Sequence, residues 1–258
     1  MRRLLIIGIG AGDPEQVTAA AIKALNQADV FFVIDKGEVK QDLMLLRQEI
    51  CDRYIEDNSS YRIVPVPEPE RDRSAPAYRQ AVEQWRRERA EIWARAISDE
   101  LGDGDCGALL VWGDPALYDS TLAIVEQVVG MGTMELEYEV IPGISSVASL
   151  AARHRVSLTQ VGRPLHITTG RRLAEEGFPE HCDDVVVMLD AHCTFAGLDE
   201  PGTEIYWGAY LGTKDEILVS GPVREVADRI RAVRAEARAS KGWIMDTYLL
   251  RRPGQAGT

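Results

Sequence analysis

The chain has 258 residues, 45% hydrophobic and 27% charged, which excludes a disordered or low-complexity protein and suffices for one large or two ordinary domains. Lys and Arg number 29 against 41 Asp and Glu, and the formal charge of −12 lacks the basic footprint of a nucleic-acid binder. No apolar run reaches the roughly 18 residues of a bilayer span, and Cys51, Cys106, Cys182 and Cys193 lack metal-ligand spacing, as suits a protein of the reducing cytoplasm.

Met1-Arg2-Arg3 before Leu4–Ile7 has the charge order of a signal peptide, but the run is short and Gly8 to Gly12 break it. Residues 4–7 therefore read as a buried first strand. Residues 14–28 predict an amphipathic helix with Val17, Ala20, Ala21, Ala24 and Leu25 on one face, Pro14 in its first turn and Asp13 as N-cap. The continuous apolar run at 30–34 fits a parallel strand covered on both faces. A helix at 40–54, a strand at 61–66, a proline-rich charged loop at 67–76 and a long helix at 77–101 follow. Then come a strand at 108–112, a helix at 119–130, a strand at 138–141 and a helix ending near Arg153.

This alternation predicts an α/β fold with a mainly parallel sheet. Residues 154–164 suit a linker, and a second alternating set follows, with strands at 165–169, 184–189, 203–210 and 243–249 and a helix at 222–239. Two α/β domains are expected, over 1–157 and 163–258.

Two junctions stand out because each follows a strand and precedes a helix, where open α/β sheets bind ligands. The first is Gly8-Ile9-Gly10-Ala11-Gly12-Asp13-Pro14, the second Gly113-Asp114-Pro115-Ala116-Leu117-Tyr118. The first is no dinucleotide fingerprint, because the third glycine is absent, although Asp35 ends the second strand where an acid would meet a ribose. Gly113-Asp114-Pro115 reads either as a turn or as a ligand loop whose glycine exposes the backbone. Ser145 and Ser146, after Pro142-Gly143-Ile144, either cap a helix or bind a ligand. Arg71, Arg73, Arg79, Arg86, Arg87 and Arg89 form either a solvated helix face paired with Glu83, Glu88 and Glu91 or, at loop positions Arg71 and Arg73, a carboxylate clamp. No Gly-x-Ser-x-Gly elbow, HExxH pair or Walker loop is present, and His166, His181 and His192 show no metal-site pattern.

Taken in order, the motifs resemble the tetrapyrrole (precorrin) methylases, which transfer methyl groups from S-adenosylmethionine to precursors of cobalamin and sirohaem. The matching pieces are Ile6 to Pro14 with Thr18, Ala28-Asp29-Val30, Gly113 to Tyr118, Ile141 to Ser146, His166 to Gly170, Val186 to Asp190, and Gly212 to Glu216. One departure is Ala11, where the family usually has proline. Further stretches at 31–38, 47–51, 69–73 and 118–121 resemble a branch that methylates C1 of the ring-contracted macrocycle and releases its acetyl group as acetate.

The resemblance implies two α/β domains with the cofactor cleft between them, a class III methyltransferase fold, and a cytoplasmic homodimer. It implies that Gly113, Asp114, Tyr118, Ser145, Ser146, Met188, Ala209 and Tyr210 bind the cofactor. Gly10, Asp13, Arg71 and Arg73 are the expected contacts to the carboxylate-bearing tetrapyrrole. Asp35 and Asp114 are the candidate bases for deacetylation. No metal, nucleic acid or membrane is expected. Methylation at another ring carbon, a non-catalytic tetrapyrrole carrier, an RNA or protein-histidine methylase and a nicotinamide reductase are the rival readings.

Overall fold

A computed structural model describes residues 1–35, 41–57, 61–69, 78–198 and 200–253. Arg71, Arg73, and Lys36 to Glu38 of the 31–38 stretch lie outside the described residues. The chain divides into two compact units. The first holds Met1–Gly10 and Pro14–Ile144, and the second holds Ala11–Asp13 and Ser145–Thr258.

The first unit is one parallel sheet of β1 (Arg2–Gly8), β2 (Val30–Asp35), β3 (Arg62–Pro67), β4 (Cys106–Val111) and β5 (Leu136–Ile141), in the order β3-β2-β4-β1-β5. Side chains alternate across a strand. Leu5 and Ile7 of β1 accordingly join a core with α1 (Ala19–Leu25) and α2 (Gln41–Tyr54). Leu4 and Ile6 join one with α3 (Tyr78–Glu100) and α4 (Thr121–Gly130) on the opposite face. The neighbours β1 and β4 lead away in opposite directions, to β2 and to β5. Their carboxyl ends therefore form the switch point at which open sheets bind ligands.

The first helix differs from expectation. Pro14–Gln16 is a single 3₁₀ turn, and α1 starts only after Thr18, whose Oγ1 accepts the Ala21 N–H at 3.1 Å. Thr18 is the N-cap in place of Asp13, because a threonine hydroxyl can satisfy an orphan amide of the first turn.

The second unit holds α5 (Ser146–His154), β6 (Leu165–Thr169), α6 (Gly170–Glu176), β7 (Asp184–Met188), β8 (Glu204–Ala209), β9 (Ile217–Pro222), α7 (Val223–Lys241) and β10 (Asp246–Arg251). Its sheet runs β6-β7-β10-β8-β9. Only β6 and β7 pair in parallel, and the β7–β10, β10–β8 and β8–β9 pairs are antiparallel. Trp207, Tyr248, Phe195, Ile230 and Leu173 are central to its core.

Contacts divide the chain at Ile144/Ser145 and not within the expected 157–163 segment. The cause is α5, which packs on β8, β9 and β10, with Leu150 Cδ1 at 2.9 Å from where a Cβ on Gly208 would stand. Among the described residues no helix is long and apolar enough to cross a membrane.

Candidate functional site

In the first unit the two motif loops meet at the switch point. Gly113 N–H donates to the Gly10 carbonyl at 2.8 Å and Gly10 N–H to the Gly113 carbonyl at 3.3 Å, which forms an isolated bridge. A third loop closes against them. A Cβ on Gly143 would stand 2.1 Å from the Gly113 carbonyl oxygen, and one on Gly8 would stand 2.5 Å from Gly143 N. The glycines are required because backbone meets backbone.

Asp114 holds this arrangement. Its Oδ1 accepts the Ala116 N–H at 2.8 Å and its Oδ2 accepts the Gly143 N–H at 3.0 Å. Both oxygens are thus engaged by backbone amides, a charge-assisted brace between the loops after β4 and β5. Asp35 ends β2 at the same carboxyl edge of the sheet.

Ser145 is the N-cap of α5, and its Oγ accepts the Ala148 N–H at 3.3 Å, which satisfies the capping reading. Ser146 is the first residue of that helix. Met188 is half-buried at the end of β7. Ala209 is buried at the end of β8, and the next residue, Tyr210, is only 3% exposed. The Tyr210 hydroxyl donates to the Trp243 carbonyl at 2.6 Å, its N–H donates to the Met245 carbonyl at 3.0 Å and its own carbonyl accepts from Thr213. Burial pushes its phenol up, so the hydroxyl remains a donor. Its polar groups are committed to the fold, which leaves Tyr210 the role of shaping the loop.

Two more acids behave like Asp114. Asp190, buried after β7, accepts the His192 N–H at 2.9 Å, the Thr194 N–H at 2.6 Å and the Tyr248 hydroxyl at 2.7 Å. Gly170 allows this, since a Cβ there would stand 2.5 Å from Asp190 Cβ. Glu216 accepts the Gly212 N–H at 2.9 Å and pairs with Arg153 of α5 at 2.5 Å. Asp13, whose segment belongs to this unit, acts electrostatically on Arg153. A Cβ on Gly212 would stand 2.7 Å from Asp13 N. Asp190 and Glu216 were visible in the sequence only as motif letters. Their signal was an acid at a strand end or loop end beside small residues.

Each braced loop carries a residue in the left-handed region: Tyr118 at φ 50°, Leu189 at 54° and Tyr210 at 50°. Such conformations are costly for residues with a Cβ and cluster at functional sites. Tyr118 and Leu189 are also 46% and 67% exposed, and each presents apolar side-chain surface. Burial pushes the Cys51, Cys106 and Cys193 thiols up, so none of these three is an activated nucleophile.

The model of the family of tetrapyrrole (corrin/porphyrin) methylases matches residues 3–227. The precorrin-6A synthase [deacetylating] of a Sinorhizobium species is 52% identical over 252 residues, covering 98% of this chain and 96% of that one. A cobalamin-synthesis-related protein (CobF) of Corynebacterium diphtheriae superposes with a TM-score of 0.84 at 37% identity, over 98% of this chain and 99% of that one. The uroporphyrin-III C-methyl transferase of Thermus thermophilus, complexed with S-adenosyl homocysteine, shares the fold with a TM-score of 0.59 at 19% identity, over 96% and 97% of the two chains.

Proposed function

Because the chain belongs to the tetrapyrrole (corrin/porphyrin) methylases, we propose that it is an S-adenosylmethionine-dependent C-methyltransferase of cobalamin biosynthesis that methylates C1 of precorrin-5, releases acetate and gives precorrin-6A. The observation that carries this reading is 52% identity to a deacetylating precorrin-6A synthase, spread over 98% of the chain and so over both units.

The residues proposed to hold the cofactor are Gly113, Asp114 and Tyr118, with Ser145, Ser146, Met188, Ala209 and Tyr210. The left-handed backbone at Tyr118 and Tyr210 supports that set. Asp114 and Tyr210 act in it by positioning, because their polar atoms already serve the loops. Gly10 and Asp13 would face the macrocycle, as would Arg71 and Arg73.

Bound S-adenosylmethionine supplies an already electrophilic methyl carbon, so alignment of the two reactants provides much of the acceleration. Deacetylation needs a water. Its oxygen adds to the acetyl carbonyl, the C1–acyl bond breaks and the bonding pair stays with C1, which then takes the methyl group. Asp35 is the base we assign to that water. Asp114 is the weaker candidate because both its oxygens brace loops. The chain is also proposed to act in the cytoplasm as a homodimer.

Calorimetry with S-adenosylhomocysteine, followed by turnover of precorrin-5, tests the reading. Saturable binding is expected, with one methyl gained and one acetate released per macrocycle. Methylation with the acetyl group retained would move the reaction to another ring carbon. No binding, with or without macrocycle, would end the methylase reading. Asp35→Asn is expected to lower kcat by about 10²-fold or more with S-adenosylhomocysteine binding unchanged, and an unchanged kcat would remove Asp35 as base.

A further inference from the structure

In the second unit the loops after β7 and β8 are both tied to one helix. On α7, Arg234, Ala237 and Lys241 follow one another at spacings of three and four residues, hence on one face. Arg234 is 8% exposed. Its Nε donates to Asp246 Oδ2 at 2.8 Å, and its Nη2 donates to the backbone carbonyl of Asp190 at 2.8 Å. Asp246 Oδ2 also accepts from Trp207 Nε1 at 3.0 Å, so the carboxylate that orients the guanidinium is itself held from β8. Asp190 directly follows Leu189, and its own carboxylate accepts from the His192 and Thr194 amides and the Tyr248 hydroxyl. The loop after β7 is thus held at both the carbonyl and the carboxylate of one residue.

The loop after β8 is held from the same face, further along the helix. The Tyr210 hydroxyl lies 3.3 Å from the Ala237 carbonyl as well as 2.6 Å from that of Trp243. Lys241 Nζ lies 2.6 Å from Asp215 Oδ2 and 5.4 Å from the Tyr210 ring centroid. Leu189 and Tyr210 each stand one residue beyond a strand end, and both are in the left-handed region. Such backbone persists only where its surroundings over-determine it, and α7 is common to both surroundings. Stability alone does not account for the Arg234–Asp246 pair. Desolvation offsets the attraction of a buried ion pair, and apolar residues of similar volume often serve the fold as well. What an apolar residue could not supply is the fork of donors that reaches Asp246 and the Asp190 carbonyl together.

We propose that Arg234 and Lys241 are positioning residues for the methyl donor: through them α7 holds the Met188–Asp190 loop and the Ala209–Tyr210 turn in the conformations that receive it. Neither side chain is assigned a contact to the cofactor. What the two loops bind rests on the methylase reading. Without these holds, the unliganded loops leave the left-handed conformation in a fraction of the molecules. A ligand that binds only the molecules with both loops in place then has its apparent affinity reduced by that fraction. Once it is bound the loops are back in place, so the chemical step is unaltered. The effect therefore falls on the affinity and KM of the cofactor and spares kcat.

The full chain, a double variant Arg234→Met with Asp246→Asn, and Lys241→Gln provide the test. The double exchange leaves no buried charge unpaired, and the asparagine oxygen still accepts from Trp207. Arg234→Lys, which keeps the charge beside Asp246 but lacks the fork, takes its place if it does not fold. For each protein the affinity for S-adenosylhomocysteine, KM for S-adenosylmethionine and for precorrin-5, kcat, and amide hydrogen exchange over residues 186–196 and 208–216 are measured. The double variant is expected to weaken S-adenosylhomocysteine binding and raise KM for S-adenosylmethionine about tenfold, and Lys241→Gln about threefold. KM for precorrin-5 and kcat at saturating cofactor stay within about twofold of the parent. Exchange quickens at the His192 and Thr194 amides in the first variant and at the Tyr210 and Thr213 amides in the second. Folded variants with parental cofactor affinity and parental exchange overturn the proposal. So does a fall in kcat with both KM values parental, because a merely structural role lowers the active fraction and nothing else. A parent that binds no S-adenosylhomocysteine, with or without macrocycle, while its variants exchange faster in these loops, loses the methylase reading and keeps the hold of α7 on the loops. A parent without binding whose variants exchange as it does loses both.

Discussion

Leu189 sits at φ 54° with its side chain 67% exposed, so it bears the left-handed penalty and recovers little burial. That penalty is about 1–2 kcal/mol, and glycine in its place gives back about 0.5–1 kcal/mol through unfolded-chain entropy. Leu189→Gly is therefore expected to raise stability by about 0.5–1 kcal/mol in urea melts while weakening S-adenosylhomocysteine binding several-fold by calorimetry. A destabilised variant with parental affinity would contradict both the strain and its purpose. Tyr210 shares the conformation but is buried and hydrogen-bonded to Trp243, so the same exchange there would lose more than it relieves. At this scale the motif residues could be read in the sequence, but their tasks could not. Asp114 reads as a base because an acid at a strand end is chemically available. Its actual partner Gly143 lies far along the chain, and only the fold brings that amide to 3.0 Å.

Among the elements, α5 ties its position to pH. His154 Nε2 lies 3.0 Å from the Trp207 carbonyl, and the ring meets Tyr206 edge-on at 5.6 Å. Desolvation, the largest cause, holds the imidazole below its ordinary range, against the smaller opposite pull of the Trp207 carbonyl and Glu216. A histidine whose folded pKa is depressed binds its proton more readily in the unfolded chain, so stability falls as pH drops through the ordinary histidine range near 6.5. Thermal melts between about pH 7.5 and 5.5 should show this fall, and His154→Gln should flatten it. A parental slope in that variant would transfer the effect to other groups. Most elements of the first unit were legible because buried parallel strands are continuous apolar runs. The helix expected at 14–28 is shorter in the structure because Thr18 interrupts it as a cap while the apolar spacing continues across the break. Strand β9 was missed because Ile217-Leu218-Val219 is short and passes directly into Ser220-Gly221-Pro222, letters typical of a turn. The antiparallel pairing of the second sheet was not legible at all, since strand direction depends on which strands become neighbours.

At the scale of the whole molecule, two α/β units could be read from the alternation of elements, but their division could not, because α5 follows the first sheet in sequence and packs on the second. The proposed homodimer predicts that light scattering returns twice the chain mass of 28.6 kDa across micromolar concentrations; a value equal to the chain mass would make the protomer the working unit. The second unit also recruits Ala11–Asp13 from near the start of the chain, where Gly12 approaches so closely that a Cβ would meet the Leu211 carbonyl oxygen at 2.4 Å. During synthesis these two ends are parted by about 200 residues. At about 5–20 residues per second, the ribosome leaves the Gly12 segment waiting on the order of 10–40 s for its partner. The Ala11–Asp13 segment is thus fixed only once the Gly212 turn emerges, whereas Gly10 beside it can bridge to Gly113 about 100 residues earlier.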